Sequence, residues 1–281
     1  MTALRRRVRQ LHVAGDARWL TDELSAEEPL EIRLDGVPLT VTMRTPGADF
    51  DLAAGFLVTE GIIGSADDIR AMRRCPHAAD ADSEFNVLEV RLVGAGTAVV
   101  GQRNFFMTSS CGVCGKASID AVRTRSRHDV CDDPLVVSPA LLATLPDTLR
   151  AAQQVFARTG GLHAAALFDA GGTLLCVRED VGRHNAFDKV IGWAATQRRL
   201  PLRSHIILAS GRASFELTQK ALMAGIPLLA AVSAPSSLAV QLAEESGMTL
   251  VGFLRGERMN VYTGQQRVAT AVATGGGTAA G

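Results

Sequence analysis

Two thiols stand a C-x-x-C step apart in SSCGVCGKAS (109–118), and they are the residues whose types and spacing most directly invite chemistry. Such a pair serves three purposes: half of a metal clip, a dithiol–disulfide couple, or a thiol that carries a group. A structural zinc site needs four ligands, and Cys111 and Cys114 supply two. The best completion is His128 with Cys131, which gives C-x-x-C, a thirteen-residue gap and H-x-x-C. Cys75 with His77 is a poorer completion. Against zinc, the surrounding RSRHDVCDD is strongly charged and has no glycine for a tight second knuckle. A thioredoxin-like couple wants a rigid turn at a helix start, where the dipole lowers the first thiol's pKa. KASIDAVR can open such a helix and Lys116 adds charge, but Gly112 and Gly115 loosen the turn. A carrier needs an open, nucleophilic sulfur on a loop that visits a donor and then an acceptor. Ser109, Ser110, Gly112 and Gly115 leave the sulfur accessible, and Lys116 favours a thiolate whose free pKa is about 8.5. The zinc deaminase signature is excluded, because no histidine is followed two residues on by glutamate and Ser110, not proline, precedes Cys111.

The chain around this loop has 281 residues, is 47% hydrophobic and carries a formal net charge of +0. It is long enough for one large or two modest domains. A zero balance gives no global reason to bind a nucleic acid polymer, so any anion site must be local. No apolar run approaches the roughly 20 residues of a membrane span. MTALRRRVRQ is basic, yet no apolar signal region follows it, so a cytoplasmic protein is expected. The five cysteines (Cys75, Cys111, Cys114, Cys131, Cys176) are an odd number without an export signal, which argues for reduced thiols rather than a disulfide framework.

The elements that must position the chemistry follow from periodicity. Residues 1–27 read as a loosely held basic arm. PLEIRLDGVPLTVTMRT (29–45) alternates around Asp35-Gly36, a hairpin signal. DFDLAAGFLVTEGII (49–63) is spaced as a helix ending near Gly61, SADDIRAM (65–72) starts another short helix, and FNVLEVRLV (85–93) is a strand. The GAG at 94–96 precedes a strand-like run rather than a helix, so it reads as a turn and not a nucleotide loop. Residues 138–161 read as one or two helices with a glycine stop, and 162–180 as strand, Gly-Gly turn and strand. The segment 181–199 reads as an amphipathic helix. Strand HIILAS, helix ASFELTQKALMAG, strand IPLLAAVSA, helix PSSLAVQLAEESG and strand MTLVGFLR follow. Apolar strands alternating with helices predict a parallel or mixed sheet covered on both faces. The expected organisation is an α+β part at 28–105, a flexible cysteine-bearing connection at 106–137, an α/β part at 138–266, and a disordered tail at 267–281.

Three arginine-bearing loops are placed at strand ends. In REDVGRHNAFDK (178–189), Arg183 and His184 could face an anion at a helix start. SGRASFE (210–216) repeats the arrangement with Arg212, Ser214 as N-cap and Glu216 in the first turn. GFLRGERMNVYT (252–263) offers Arg255 and Arg258 around Gly256, with Phe253 and Tyr262 as stacking faces. The plainer alternative is that Arg178, Glu179, Asp180 and Arg183 pair with one another and Arg212 pairs with Glu216. His163 either joins the ligand wall or sits in the core, the core being preferred. Ligands of open α/β sheets bind outside the carboxyl ends of strands, so the three loops would line one crevice.

CGVCG, EDVGRHNAFDKVIG, SGRASFELTQKA and AVSAPSSLAVQLAEESGMTLVGFLRGERMNVYT, with EEPLEIRLDGVPL and DLAAGFLVTEGII before them, resemble the formate dehydrogenase accessory sulfurtransferase family (FdhD) from about Glu28 to Gln266. The resemblance implies a cytoplasmic sulfur carrier that takes sulfur from a cysteine desulfurase. It passes that sulfur to the molybdenum cofactor, in its bis(molybdopterin guanine dinucleotide) form, before the cofactor enters formate dehydrogenase. It also implies that Cys111 bears the persulfide with Cys114 assisting, and that Phe253, Leu254, Arg255, Gly256, Glu257 and Arg258 contact the guanine-dinucleotide acceptor. A homodimer, no permanently bound metal and a larger domain like the cytidine deaminase fold belong to the same resemblance. Leu162 precedes His163 where some members carry a further cysteine. Two rivals stay open: a cofactor chaperone without covalent sulfur chemistry, and a zinc-stabilised binding module.

Overall fold

The structure is a computed structural model that describes residues 2–75, 86–94 and 126–269. Cys111, Cys114 and His77 lie outside the described residues, as do most of the glycine turn expected at 94–96 and all of the tail from residue 270.

A four-stranded front sheet is ordered β4-β3-β6-β5. Strand β3 (Glu28–Leu34) and β4 (Val37–Arg44) form the expected hairpin. Asp35 and Gly36 both adopt positive φ, 49° and 85°, as a tight hairpin turn requires. Leu30, Ile32 and Leu34 face inward at a period of two. β6 (Val87–Leu92) runs parallel to β3, and β5 (Ile69–Arg74) antiparallel to β6. The helix expected at 65–72 is instead one 3-10 turn, Ala66–Asp68, leading into β5. Ser65 and Asp68 form a capping box, with the Asp68 carboxylate accepting from the N–H groups of Gly64 and Ser65. The helix start it marks runs for only one turn before the chain turns extended at Ile69.

The back sheet has six strands in the order β12-β11-β10-β9-β7-β8. These are β7 (His163–Phe168), β8 (Leu174–Asp180), β9 (Ile206–Ala209), β10 (Leu228–Ala231), β11 (Thr249–Arg255) and β12 (Arg258–Thr263). β9, β10 and β11 are parallel, and β7 is antiparallel to both β8 and β9. Hence β8, β9, β10 and β11 all point their carboxyl ends to one edge. β9 and β10 are buried at every residue, as strands covered on both faces must be. β12, in a stretch read from sequence as a binding loop, pairs with β11 as a hairpin.

One face of this sheet packs on helix α2 (Pro139–Ala152) through Leu142, Leu145 and Leu149, and the short helix α3 (Gln154–Thr159) follows it. The other face packs on α4 (Arg183–Thr196), α5 (Phe215–Met223) and α6 (Ser237–Glu245). Its core runs without a break through α1 (Asp49–Thr59) into Leu30, Ile32 and Leu88 of the front sheet. The two sheets therefore share one core. α1 and α4 meet backbone to backbone: a Cβ on Gly55 would stand 1.8 Å from the Asp188 carbonyl oxygen, and one on Gly192 1.7 Å from that of Asp51. α4, read as amphipathic, is buried from Asn185 through Gly192, because its polar residues Asp188 and Lys189 find partners inside.

Both chain ends correct the expectation. Residues 3–25 are an antiparallel hairpin of β1 (Ala3–Leu11) and β2 (Ala17–Ser25), not a loose arm. Cross-strand pairs hold it: Leu4 with Leu24, Val8 with Leu20, Arg5 with Glu23 at 3.2 Å, and Arg7 over the Trp19 ring at 4.9 Å. Arg158 of α3 reaches Glu23 at 3.2 Å. At the other end, order continues past Gln266. Arg267 is 2% exposed and donates to the carbonyls of Val130, Cys131, Asp133 and Gly247.

Candidate functional site

Three consecutive residues at the end of β8 have separate fates. Arg178 donates to Asp51 at 2.8 Å, Glu179 caps α3 through the N–H groups of Val155 and Phe156, and Asp180 receives the Lys189 ammonium at 2.6 Å. They do not pair among themselves. Deeper on α5, Lys220 donates to Asp188 and to Thr59 at 2.9 Å. Burial alone would depress the Lys220 ammonium, but Asp188 and Glu60 outweigh it and hold it above its usual value.

The residues at the helix starts lack such partners. Arg183 Nε, His184 Nε2 and Ser214 Oγ are buried atoms with no hydrogen-bond partner among the described residues. Ser214 holds the extended backbone of an N-cap residue, yet its hydroxyl caps nothing. His184 Nε2 stands 3.9 Å from the Glu216 carboxylate, an ion-pair distance too long for a hydrogen bond. The His184 ring facing it holds the Glu216 carboxyl far below the usual range, at about 2, against the upward push of burial. Arg212 is exposed in the loop and is not the partner of Glu216. Two helix N-termini and their side chains thus present donors to one region, in which the Glu216 carboxylate already faces His184.

Beside them lies a crevice of about 690 Å³ at the carboxyl ends of β9, β10 and β11. His163, Ser210, Gly211, Arg255 and Gly256 form one side. His163 is exposed here rather than in the core: it pairs with Asp180 of β8, but β9 joins β7 only from Ala165 onward. Partial burial lowers its pKa, with Arg183 and His184 adding to the effect against Asp180, so the ring gives up its proton more readily than a free imidazole. Arg183 and His184 at the α4 start therefore lie near this wall, but they, Arg212 and Ser214 do not line the crevice themselves. Arg255 anchors its Nε on the Val232 carbonyl at 2.9 Å. Leu254, Arg255 and Gly256 line the crevice, whereas Phe253, Glu257 and Arg258 do not. Phe253 is exposed with φ 51°, and Tyr262 packs against the core instead of offering a free face.

The opposite wall belongs to α2 and α3 and includes Asp147, Arg150, Gln153 and Phe156, none of them singled out from sequence. In sequence they resemble the solvated side of a scaffolding helix. The one signal was Pro146 inside the helix, close to the break at Gln153. Of the other cysteines, Cys176 is buried in the core and its thiol is pushed up to about 11, which makes it an unreactive packing residue. Cys131 is exposed and Cys75 half-buried. Among the described residues, no three His, Cys, Asp or Glu side chains are grouped to hold a metal ion, and no helix is long and apolar enough to cross a membrane.

Fold and crevice together define a mixed-sheet α/β protein with a cleft at the carboxyl ends of its parallel strands. The chain belongs to the FdhD/NarQ family, whose model matches residues 25–269. It is 61% identical to the sulfur carrier protein FdhD of Mycolicibacterium paratuberculosis, over 94% of this chain and 98% of that one. It is 60% identical to the protein of the same name from Streptomyces avermitilis, over 91% and 92%. Its fold matches a crystal structure described as a formate dehydrogenase accessory protein from Desulfotalea psychrophila, with TM-score 0.75, 23% identity and coverage of 96% of this chain and 100% of that one. The hairpin β1–β2 lies almost wholly outside the span of the family model.

Proposed function

We propose that this protein is a sulfur carrier acting as a sulfurtransferase, with Cys111 as the carrying thiol and Cys114 as its helper. The observation that carries this reading is the glycine-flanked C-x-x-C in a chain of this family whose relatives are named sulfur carriers. The Cys111 thiolate attacks the terminal sulfur of a cysteine desulfurase persulfide. A Cys111–S–SH forms, and the desulfurase cysteine leaves as thiolate. For delivery, the Cys114 thiolate attacks the Cys111 inner sulfur, hydrosulfide departs toward the acceptor, and a Cys111–Cys114 disulfide remains. A cellular dithiol reduces that disulfide and resets the carrier.

The acceptor is the molybdenum cofactor in its bis(molybdopterin guanine dinucleotide) form, on its way into formate dehydrogenase. The crevice suits an anionic, nucleotide-bearing acceptor: Arg255 meets phosphates on its wall beside His163, and the donors at the α4 and α5 starts (Arg183, His184 and Ser214), which lie outside that lining, extend the path for the anionic part of the acceptor. A cytoplasmic homodimer with a deaminase-like larger sheet belongs to the same proposal.

The test is to incubate the protein with a cysteine desulfurase and cysteine, then map added sulfur by mass spectrometry. Wild type is expected to gain one sulfur at Cys111 and the Cys111→Ala variant none. A Cys111→Ala protein that accepts sulfur at the wild-type level overturns the assignment. A pure cofactor chaperone differs in one outcome: formate dehydrogenase would still be activated with both loop cysteines replaced.

A further inference from the structure

The hairpin β1–β2 is a sheet of its own, joined to neither of the larger two. Its strands are nine residues each and pair in unbroken register from Ala3 with Ser25 to Leu11 with Ala17, without a bulge or a proline. β2 is the strand beside the body. Glu23 meets Arg158 of α3 at 3.2 Å, and a Cβ on Gly161 would stand 2.7 Å from the Ser25 hydroxyl. β1 is the outer strand, and no strand among the described residues lies beyond it. Proteins ordinarily blunt so long a free edge with a bulge, a proline or a short strand, because its open N–H and C=O groups are a template for another chain. A two-stranded ribbon is also marginal by itself, and a third strand steadies it.

The charge on this edge selects what can pair with it. Alternate residues of a strand share a face, so Arg5, Arg7 and Arg9 stand in a row about 7 Å apart. Across from them are Glu23, Thr21 and Trp19. Glu23 is shared between Arg5 and Arg158, both at 3.2 Å, and Arg7 lies over the Trp19 ring. Arg9 faces no carboxylate across the hairpin. The row therefore keeps surplus positive charge. It works against a second copy: β1 on β1, antiparallel about Arg7, would set Arg7 opposite Arg7 and Arg5 opposite Arg9, and like charges directly opposite are destabilising. An acidic strand meets opposite charge at the same three places. The reverse face of β1 carries Leu4 and Val8 around Arg6, which suits aliphatic residues between the acids.

We infer that β1 is a docking edge for an acidic segment of a partner protein. The segment adds to the hairpin as a third strand, with aspartate or glutamate opposite Arg5, Arg7 and Arg9 and aliphatic side chains beside Leu4 and Val8. This inference goes beyond the sulfur-carrier reading and does not rest on it. Gly161 lines the crevice, so a partner held by this hairpin sits on an element anchored to the crevice wall.

The experiment titrates the full chain with a tagged peptide that alternates glutamate and valine over the length of β1, read by fluorescence anisotropy and hydrogen exchange. Binding that weakens with salt and slows exchange of the β1 amides is the expected result. Arg9→Glu spares the Arg5–Glu23 pair and should cost about tenfold in affinity, since an opposite-charge pair becomes a like-charge one, while Arg9→Lys should keep most of it. A peptide of the same composition, its glutamates and valines in two blocks, should bind at least about tenfold more weakly. Absence of binding, equal binding of the two peptides, or full binding by Arg9→Glu overturns the inference. Binding of phosphatidylglycerol vesicles or oligothymidylate but not of the peptide overturns it too, and makes the arginine row a lipid or nucleic-acid surface. Protection of the β1 amides in the free chain that fades on dilution would put a second copy on this edge and overturn it likewise.

Discussion

Helices α4 and α5 each carry two kinds of polar residue, and the contrast between their inner and outer ends separates fold from site. In the interior, Lys189 is locked to Asp180 and the Thr45 carbonyl, and Lys220 to Asp188 and Thr59. Six residues earlier on each helix, at Arg183 and Ser214, and at His184, buried atoms have no hydrogen-bond partner among the described residues. A buried ion pair is expensive to break, whereas an unpaired donor gains only when something arrives to meet it. The inner set therefore serves stability, and the outer set is the one that the proposed function assigns to a ligand.

The sharpest way to break the comparison is to strip the inner set. Lys220→Met leaves the Asp188 carboxylate buried without its cation and is expected to lower stability by about 3–5 kcal/mol in urea unfolding. Adding Asp188→Asn should recover part of that loss, since the uncompensated charge then disappears. An unchanged midpoint in the single variant would show that the pair does not hold α5 to α1 and α4. Next in size is Gly192→Ala. Its methyl group would enter the Asp51 carbonyl at 1.7 Å, so α1 and α4 must separate, at a cost of about 3 kcal/mol.

A smaller effect concerns acid. The Glu216 carboxyl is held at about 2 in the folded chain, below its ordinary value of 4.5, by the His184 ring facing it. A group depressed by folding stabilises fully above its unfolded value, so this contribution is present above pH 4.5 and is lost as pH falls from there toward 2. Glu216→Gln should flatten that limb of the stability curve. An unchanged acid limb would mean that His184 and Glu216 do not interact in solution.

Much of this architecture was legible because it is written in apolar runs. HIILAS and IPLLAAVSA have no polar residue inside the strand itself, so a doubly covered sheet was the only way to bury them. The hairpin β1–β2 escaped because its alternation is carried by arginines on exposed faces, which look like a solvated arm. β5 escaped for another reason: Ser65 and Asp68 form a capping box, a genuine helix-start signal, yet only one 3-10 turn follows before the strand. At the site, Arg183 and His184 were legible from position, since they follow a strand and open a helix. Arg258 misled because it shares a turn with Arg255, while the crevice takes only the β11 side of that turn. Asp147, Arg150, Gln153 and Phe156 were hidden altogether, because a helix that covers a sheet looks the same in sequence whether or not its end borders a crevice.

The outer set gives the smallest expected change in stability and the most telling change in binding. Arg183→Met together with Ser214→Ala should leave the melting temperature almost unchanged, within about 0.5 kcal/mol of wild type. Titrating GDP into wild type and this double variant under matched salt is the most direct check that the unpaired donors exist for a ligand. A loss of at least about tenfold in affinity with stability intact is the expected result. Equal affinity in the two proteins would contradict it, and the crevice would then have to bind its acceptor without the helix starts.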